Sequence, residues 1–308
     1  MHACLHISTI SRGAGRNAAA ASAYRSGSSV VACAAYRAGE KLQDNYHEKT
    51  HDYTKKHNVL HAEIITPDGA PDWAKDRQQL WNRVEAGEKR KDAQLAKEVV
   101  LVLPRNLDHE QHKEVVKGWI ADNVTSKGLI ADYAIHAPDA SDGGKNPHAH
   151  VMFTLRPLDE KGEFGKKLTG YKDGGLDGRD MLEVMRQSYQ HHLNIVSAEN
   201  ENNQITFDLR SYKERGIDKT PQLKIGQKVK ALENRGYKTE WGKEWQKRNH
   251  LNKSKPYQKF VGSYNLIGDG TKYSSNFVES IRADIAQKYY DVMYGEDRGV
   301  KEWNEWER

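Results

Sequence analysis

One stretch constrains the fold more than any other. The apolar run Leu129-Ile130-Ala131-Asp132-Tyr133-Ala134-Ile135 ends in His136, a Gly/Asp/Asn/Pro-rich link runs from Asp139 to Pro147, and His148-Ala149-His150-Val151-Met152-Phe153 follows. Two apolar runs around a turn-rich link read as a hairpin of adjacent strands. Residues two apart on a strand face the same side, so His148 and His150 aim at one point. His136 closes the partner strand. Such a hairpin brings three neutral imidazoles to one divalent cation and leaves positions open for a substrate oxygen. The chain has 14 histidines, so a scatter of surface residues is the alternative. Spacing, alternation and turn together favour the site.

The rest of the chain supplies partners for that hairpin. Residues 3–10 alternate as a strand, residues 59–66 read as a second, and the apolar run 98–104 as a buried one closed by Pro104. Apolar periodicity predicts helices over 72–97, 108–124 and 178–199. Asn17 caps an alanine-rich helix to about Tyr24, and another helix runs from about Val30 to Leu42. These two pieces are a short repeat, NAAAASAYRSG (17–27) and SVVACAAYRAG (29–39). Polar residues 44–58 read as a loop. The order of elements predicts an α+β fold: a central five-stranded, mainly antiparallel sheet with helices packed on it.

At 308 residues the chain has room for one large or two small domains. No apolar run is long enough to cross a bilayer, and the first residues lack the basic-then-apolar pattern of a secretion signal. Cys4 and Cys33 are too few for a disulfide framework, so a cytoplasmic protein without membrane insertion is expected. The net charge of +5 is compatible with a nucleic-acid partner and does not establish one. Composition shifts after about residue 210. Residues 213–260 hold 14 Lys/Arg against 5 Asp/Glu, interleaved with Tyr237, Trp241, Trp245, Tyr257 and Phe260. That suits a partly disordered basic arm that tracks phosphates and stacks bases, with a solvated linker as the alternative. Residues 275–294 read as an amphipathic helix.

Three histidines without a cysteine or carboxylate ligand suit a cation that polarises an oxygen, and a phosphodiester is the natural target for a basic protein. The nucleophile is either water or a side chain. Tyr24 and Tyr36 stand out, each after an alanine-rich helical turn and before an arginine, Arg25 or Arg37. The alternative is two amphipathic tyrosines with buried rings and wet hydroxyls.

Three segments in order, SRGAGRNAAAASAYRSG, VEAGEKRKDAQLAKEVVLVLPRNL (84–107) and NPHAHVMFTLRPLD (146–159), resemble the MobA/MobL family of plasmid mobilisation relaxases, nucleases of the HUH-type fold. The resemblance runs from about residue 3 to about 226, where DLRSYKERGIDKTPQLKIG (208–226) resembles the end of the family's nuclease domain. It implies a nuclease domain over 1–226 and a basic, aromatic-containing extension with a terminal helix over 227–308. The implied activity is metal-dependent, site- and strand-specific nicking and rejoining at a plasmid transfer origin, through a tyrosine linked to the DNA 5′ end. His136, His148 and His150 become the metal ligands, with Mg or Mn as the ion. Glu98 takes the place of the family's acidic residue on the central strand, orienting a histidine or helping to take the tyrosine proton; a structural ion pair is the alternative. Arg12, Arg16, Arg25, Arg37 and Arg156 become DNA contacts. The implied partners are single-stranded or hairpin origin DNA, accessory relaxosome proteins and a coupling protein. One departure stands out: the family has one such tyrosine motif and this chain has two. Upstream spacing fits Tyr24; the downstream AYRAGEKLQD and HDYTKK fit Tyr36, which is preferred. Rival readings are a replication-initiator or transposase-like nuclease of the same fold, and a DNA-binding protein without catalysis.

Overall fold

The structure, a computed structural model, describes residues 4–12, 29–140, 143–170, 176–199, 205–221, 223 and 225–254. The expected helix ending at Tyr24, with Arg16 and Arg25, and the helix expected over 275–294 lie outside the described residues.

Five strands form one antiparallel sheet in the order β1 (Cys4–Ser11), β5 (Gln94–Val102), β7 (His148–Thr154), β6 (Ala131–His136), β4 (Val59–Ile65). This is the predicted fold class. A separate two-stranded hairpin, β2 (Lys41–Asp44) with β3 (Lys49–Asp52), falls where a loop was expected. Its residues are mostly polar and only Leu42 is an apolar inward position, so no apolar alternation announces it; the buried Asp44 fixes it from within, accepting bonds from His47 Nδ1 (2.9 Å) and His51 Nε2 (3.3 Å).

Helix α1 (Val30–Ala38) starts at Ser29, whose hydroxyl accepts from Ala32 N at 3.0 Å. It stops at Gly39, which has φ +70° and donates to Ala35 O. The predicted helix to residue 42 therefore ends early, because a left-handed residue reverses the chain into β2. Helix α2 (Arg77–Ala86) is capped by Asp76 and follows a short 3₁₀ turn, Asp72–Lys75. The helix predicted to run through residue 97 ends instead at Gly87. The AQLAKE segment has helix-forming composition, but it lies in the centre of the sheet, where residues 95–99 are all buried, and pairing on both edges overrides local propensity. Helix α3 (His109–Asn123) begins in a capping box between Asp108 and Gln111, and α4 spans Arg179–Glu199.

Helices α1 and α2 pack on one face of the sheet. Val30, Val31, Ala34, Leu80 and Trp81 form a core there with Ile10, Ala96 and Met152. Small residues let α1 lie close. Arg77 and Trp81 hold α2 down by bonding the buried carboxylate of Asp132 on β6, at 2.9 and 2.8 Å. Helices α3 and α4 cover the opposite face, tied to it by Lys117 with Glu63 (2.9 Å) and by the Tyr189 hydroxyl donating to Val102 O (2.7 Å).

The chain parts into two compact units between Phe207 and Asp208. In the second, α5 (Gln227–Asn234) and α6 (Glu240–Ser254) are ordered helices where a partly disordered arm was expected.

Candidate active site

The register builds the site. His136 pairs with His148, and His150 pairs with Ala134 on one side and Val100 on the other. Alternation then puts His136, His148, His150 and Glu98 on one face, the face that carries α1. The three rings stand with centroids 4.9 to 5.5 Å apart. Each offers one ligand nitrogen, and those three atoms lie within 4.8 Å of one another. Among the described residues no other group of His, Cys, Asp or Glu gathers this way.

An oxygen acceptor sets the tautomer of each imidazole. His150 Nδ1 donates to Glu98 Oε1 at 2.7 Å, His148 Nδ1 to Asn146 O at 2.8 Å, and His136 Nε2 to Arg37 O at 2.7 Å. The other nitrogen of each ring is left with a lone pair, the form a metal needs. Burial pushes His136 down to about 3, assisted by Lys56 and the other two histidines and against the pull of its bond to Arg37 O. Burial also lowers His148. Both rings are therefore neutral at physiological pH. The donor set fits a divalent cation: three imidazole nitrogens, with an anionic carboxylate behind one of the rings.

Glu98 is 7% exposed and fully engaged. Arg37 grips it with Nε on Oε1 and Nη2 on Oε2, both at 2.6 Å, and Ser8 Oγ donates at 3.4 Å. Burial alone would raise its carboxyl, but the Arg37 charge and the His150 and Arg37 hydrogen bonds outweigh that and hold it well below the usual carboxylate range.

Tyr36 lies in the last turn of α1, and that turn abuts the trio. The Tyr36 carbonyl accepts from Lys56 Nζ at 2.8 Å, and the same ammonium is 3.4 Å from His136 Nε2. Lys56 also lies 3.8 Å from the centre of the Tyr36 ring, which meets Tyr53 edge to face at 5.2 Å. Lys56 and Tyr53 both belong to the HDYTKK segment that the resemblance sets beside Tyr36, but no role for either follows from the sequence, and only the fold brings Lys56 to His136.

The arginines divide. Arg37 is buried on Glu98 and donates to Cys33 O at 2.8 Å. Arg12 is buried too, bonding Glu85 Oε1 (2.7 Å) and the carbonyls of Glu85, Glu88 and Arg90. Neither guanidinium faces solvent: a basic residue beside a tyrosine or a glycine turn looks exposed in sequence, while the fold sets both on buried carboxylates. Arg156 is half-buried, on Glu88 (3.1 Å) and Gly165 O (2.9 Å), beyond the end of β7 opposite to the histidines. No helix among the described residues is long and apolar enough to cross a membrane.

A family model described as MobA/MobL matches residues 16–235. The conjugal transfer protein TraA of Agrobacterium fabrum is 34% identical over 235 residues, covering 67% of this chain and 20% of that protein. The mobilization protein MobL of Acidithiobacillus ferridurans is 31% identical over 267 residues, covering 76% of this chain and 64% of that protein. The chain thus spans a fifth of that TraA and under two thirds of that MobL. A solved structure described as the molecular basis of vancomycin resistance transfer in Staphylococcus aureus is 26% identical, with a TM-score of 0.57 over 69% of this chain and 100% of that one.

Proposed function

The chain belongs to the MobA/MobL family of plasmid mobilisation relaxases, and on that premise we propose that it nicks and rejoins one DNA strand at a plasmid transfer origin. The observation that carries the reading is the trio His136, His148 and His150, whose candidate ligand nitrogens lie within 4.8 Å of one another while each ring also bonds a protein oxygen. These three would hold the metal. A divalent ion there supplies the positive charge that polarises a scissile phosphate oxygen. Of Mg and Mn, an all-imidazole donor set favours Mn, the less hard ion.

Tyr36 is the proposed nucleophile. Its phenol oxygen forms a bond to phosphorus as the bond to the 3′ oxygen breaks, and the phenol proton ends on the released 3′ hydroxyl. The turn that carries it is pinned against His136 through Arg37 O, and its own carbonyl accepts from Lys56, which supports Tyr36 for the first cut. Glu98 fixes His150, and Arg37 fixes Glu98. The partner is single-stranded or hairpin origin DNA, with accessory relaxosome proteins and a coupling protein in the working assembly. We place the nuclease domain at 1–226; the family match through residue 235 supports that span, and its last part folds with the second unit.

The test is a denaturing gel for the covalent adduct on single-stranded origin DNA. Tyr36→Phe keeps the ring and removes only the hydroxyl. It is expected to abolish the adduct, whereas Tyr24→Phe retains a measurable amount. A dead Tyr24→Phe beside an active Tyr36→Phe reverses the assignment; adduct from the double variant ends the phosphotyrosine reading. Alanine at any of the three histidines is expected to abolish cleavage and leave much of the DNA binding, which rests on phosphate contacts elsewhere. Full nicking in excess chelator would remove the metal from the mechanism.

A further inference from the structure

The turn between α2 and β5 carries charge that the histidine site does not use. It is the segment Glu88-Lys89-Arg90-Lys91-Asp92, and Lys89, Arg90 and Lys91 are all exposed. Where it leaves α2, a cavity of about 200 Å³ opens, lined by Arg83, Glu88, Arg156, Phe164 and Lys167 among others. A water's share of liquid volume is about 30 Å³, so a phosphate group fits. Glu88 is shared by Arg156 (3.1 Å) and Lys167 (2.9 Å), and Asp92 pairs with Arg90 (2.8 Å). Arg83 is exposed and lies over the Trp73 ring at 4.5 Å, with Phe164 edge-on to that ring at 5.3 Å. The cations at this corner well outnumber its carboxylates, and the aromatic pair holds one of them at the surface.

Its position gives the charge a purpose. Ala96 pairs with Thr154 and Val102 with His148, so the corner lies at the opposite end of β5 and β7 from the trio. The strand from His148 to Thr154 covers about 20 Å at roughly 3.4 Å per residue. Thr154 lines the cavity and shares the sheet face of His148 and His150.

We propose that the α2–β5 corner is a second DNA-backbone site, which takes phosphates of the substrate strand about 20 Å from the cut. It rests on the reading that the substrate is DNA. The exposed cations Lys89, Arg90 and Lys91 meet successive phosphates, and Arg83, Arg156 and Lys167 offer a pocket for one more.

Binding of fluorescein-labelled dT30 to the full chain, by anisotropy across salt concentrations, tests it. Each lost single-strand phosphate contact makes the slope of log Kobs against log salt shallower by about 0.7. The variant Lys89→Ala/Arg90→Ala/Lys91→Ala is expected to flatten the slope by about two units and to weaken binding at low salt about tenfold or more. The charge-keeping variant Lys89→Arg/Arg90→Lys/Lys91→Arg is expected to hold the original slope. Arg83→Ala is expected to flatten it by about one contact's worth. If the unmodified chain binds dT30 and the alanine variant keeps its slope, the corner is a solvated charged face and the proposal falls while the DNA reading stands. If the unmodified chain shows no salt-dependent binding at all, the DNA reading fails and takes this site with it.

Discussion

Glu98 has to satisfy three groups at once: the guanidinium of Arg37, the Nδ1–H of His150 and the hydroxyl of Ser8. A buried ion pair is a costly way to gain stability, but breaking one by removing a single partner costs about 3 to 5 kcal/mol, because the other charge is left uncompensated. Arg37→Ala is therefore expected to lower the unfolding free energy by about that amount in urea denaturation. The same substitution at a surface phosphate contact would cost almost nothing, so the measurement separates the two roles. Glu98→Gln keeps the shape of the carboxylate and loses its charge; metal affinity is expected to fall about 10- to 100-fold, because the histidine's outer partner is weakened. The pH dependence has a definite sign. A carboxyl held below its unfolded value contributes stability at pH above the usual carboxylate range, and that contribution disappears as pH falls below about 4. Acid denaturation of the unmodified chain should show this loss, and Glu98→Gln should lack it. A glutamate at the head of an apolar strand carries no such information in sequence, since its partner lies 61 residues away on another element. The resemblance alone pointed to Glu98. For Arg37, the contact that decides its role is a long-range one that no local pattern encodes.

At the scale of elements, the β6–β7 hairpin was the most legible part of the chain, because strict alternation and a turn-rich link each demand the same thing of it. Four of the five strands and the start of the helix near Asp108 were legible for similar local reasons, and of β5 only its second half. Helix ends were less so. The stretch after Gly87 is composed like a helix and becomes a central strand because its neighbours on both sides are strands. The β2–β3 hairpin carries no local signal because its inward side is held by the buried carboxylate of Asp44 and two histidines, not by apolar pairs. Gly39 joins these elements to the site: it ends the helix that bears Tyr36 and turns the chain into β2. At φ +70°, with a Cβ that would meet Val59 Cγ2 at 3.2 Å, it tolerates little else. An L-residue in the left-handed region costs about 1 to 2 kcal/mol, so Gly39→Ala is expected to destabilise the chain by at least that much. Thermal or urea unfolding measures it. A stability equal to that of the unmodified chain would mean that the α1–β2 turn readjusts freely and does not fix the placement of Tyr36.

At the scale of the whole molecule, the break at Phe207–Asp208 falls close to the composition shift read near residue 210. The charge and aromatic content were visible in sequence, but the helices α5 and α6 were not, because lysine-rich segments with scattered aromatics read equally well as coil. The second unit carries two strongly exposed aromatics. Tyr237 is 65% exposed and Trp241 61%, at the start of a helix that also carries Lys243, Lys247 and Arg248. Exposed rings among cations are suited to stacking on unpaired bases, which is sequence-tolerant because every base has a π-face. The two contributions differ in how they respond to salt. Stacking releases no counterions, whereas each ammonium-to-phosphate contact does. Trp241→Ala in the full chain is therefore expected to weaken binding to single-stranded DNA by about 1 to 3 kcal/mol while the slope of log Kobs against log salt stays where it was. Lys243→Ala together with Lys247→Ala should do the reverse in kind, flattening that slope by about 1.4 with the ring left in place. Anisotropy titrations of both variants on one labelled oligonucleotide at several salt concentrations make the comparison. An affinity unchanged by Trp241→Ala would show the ring to be a solvated surface residue, and the second unit's part in DNA binding would then rest on charge alone.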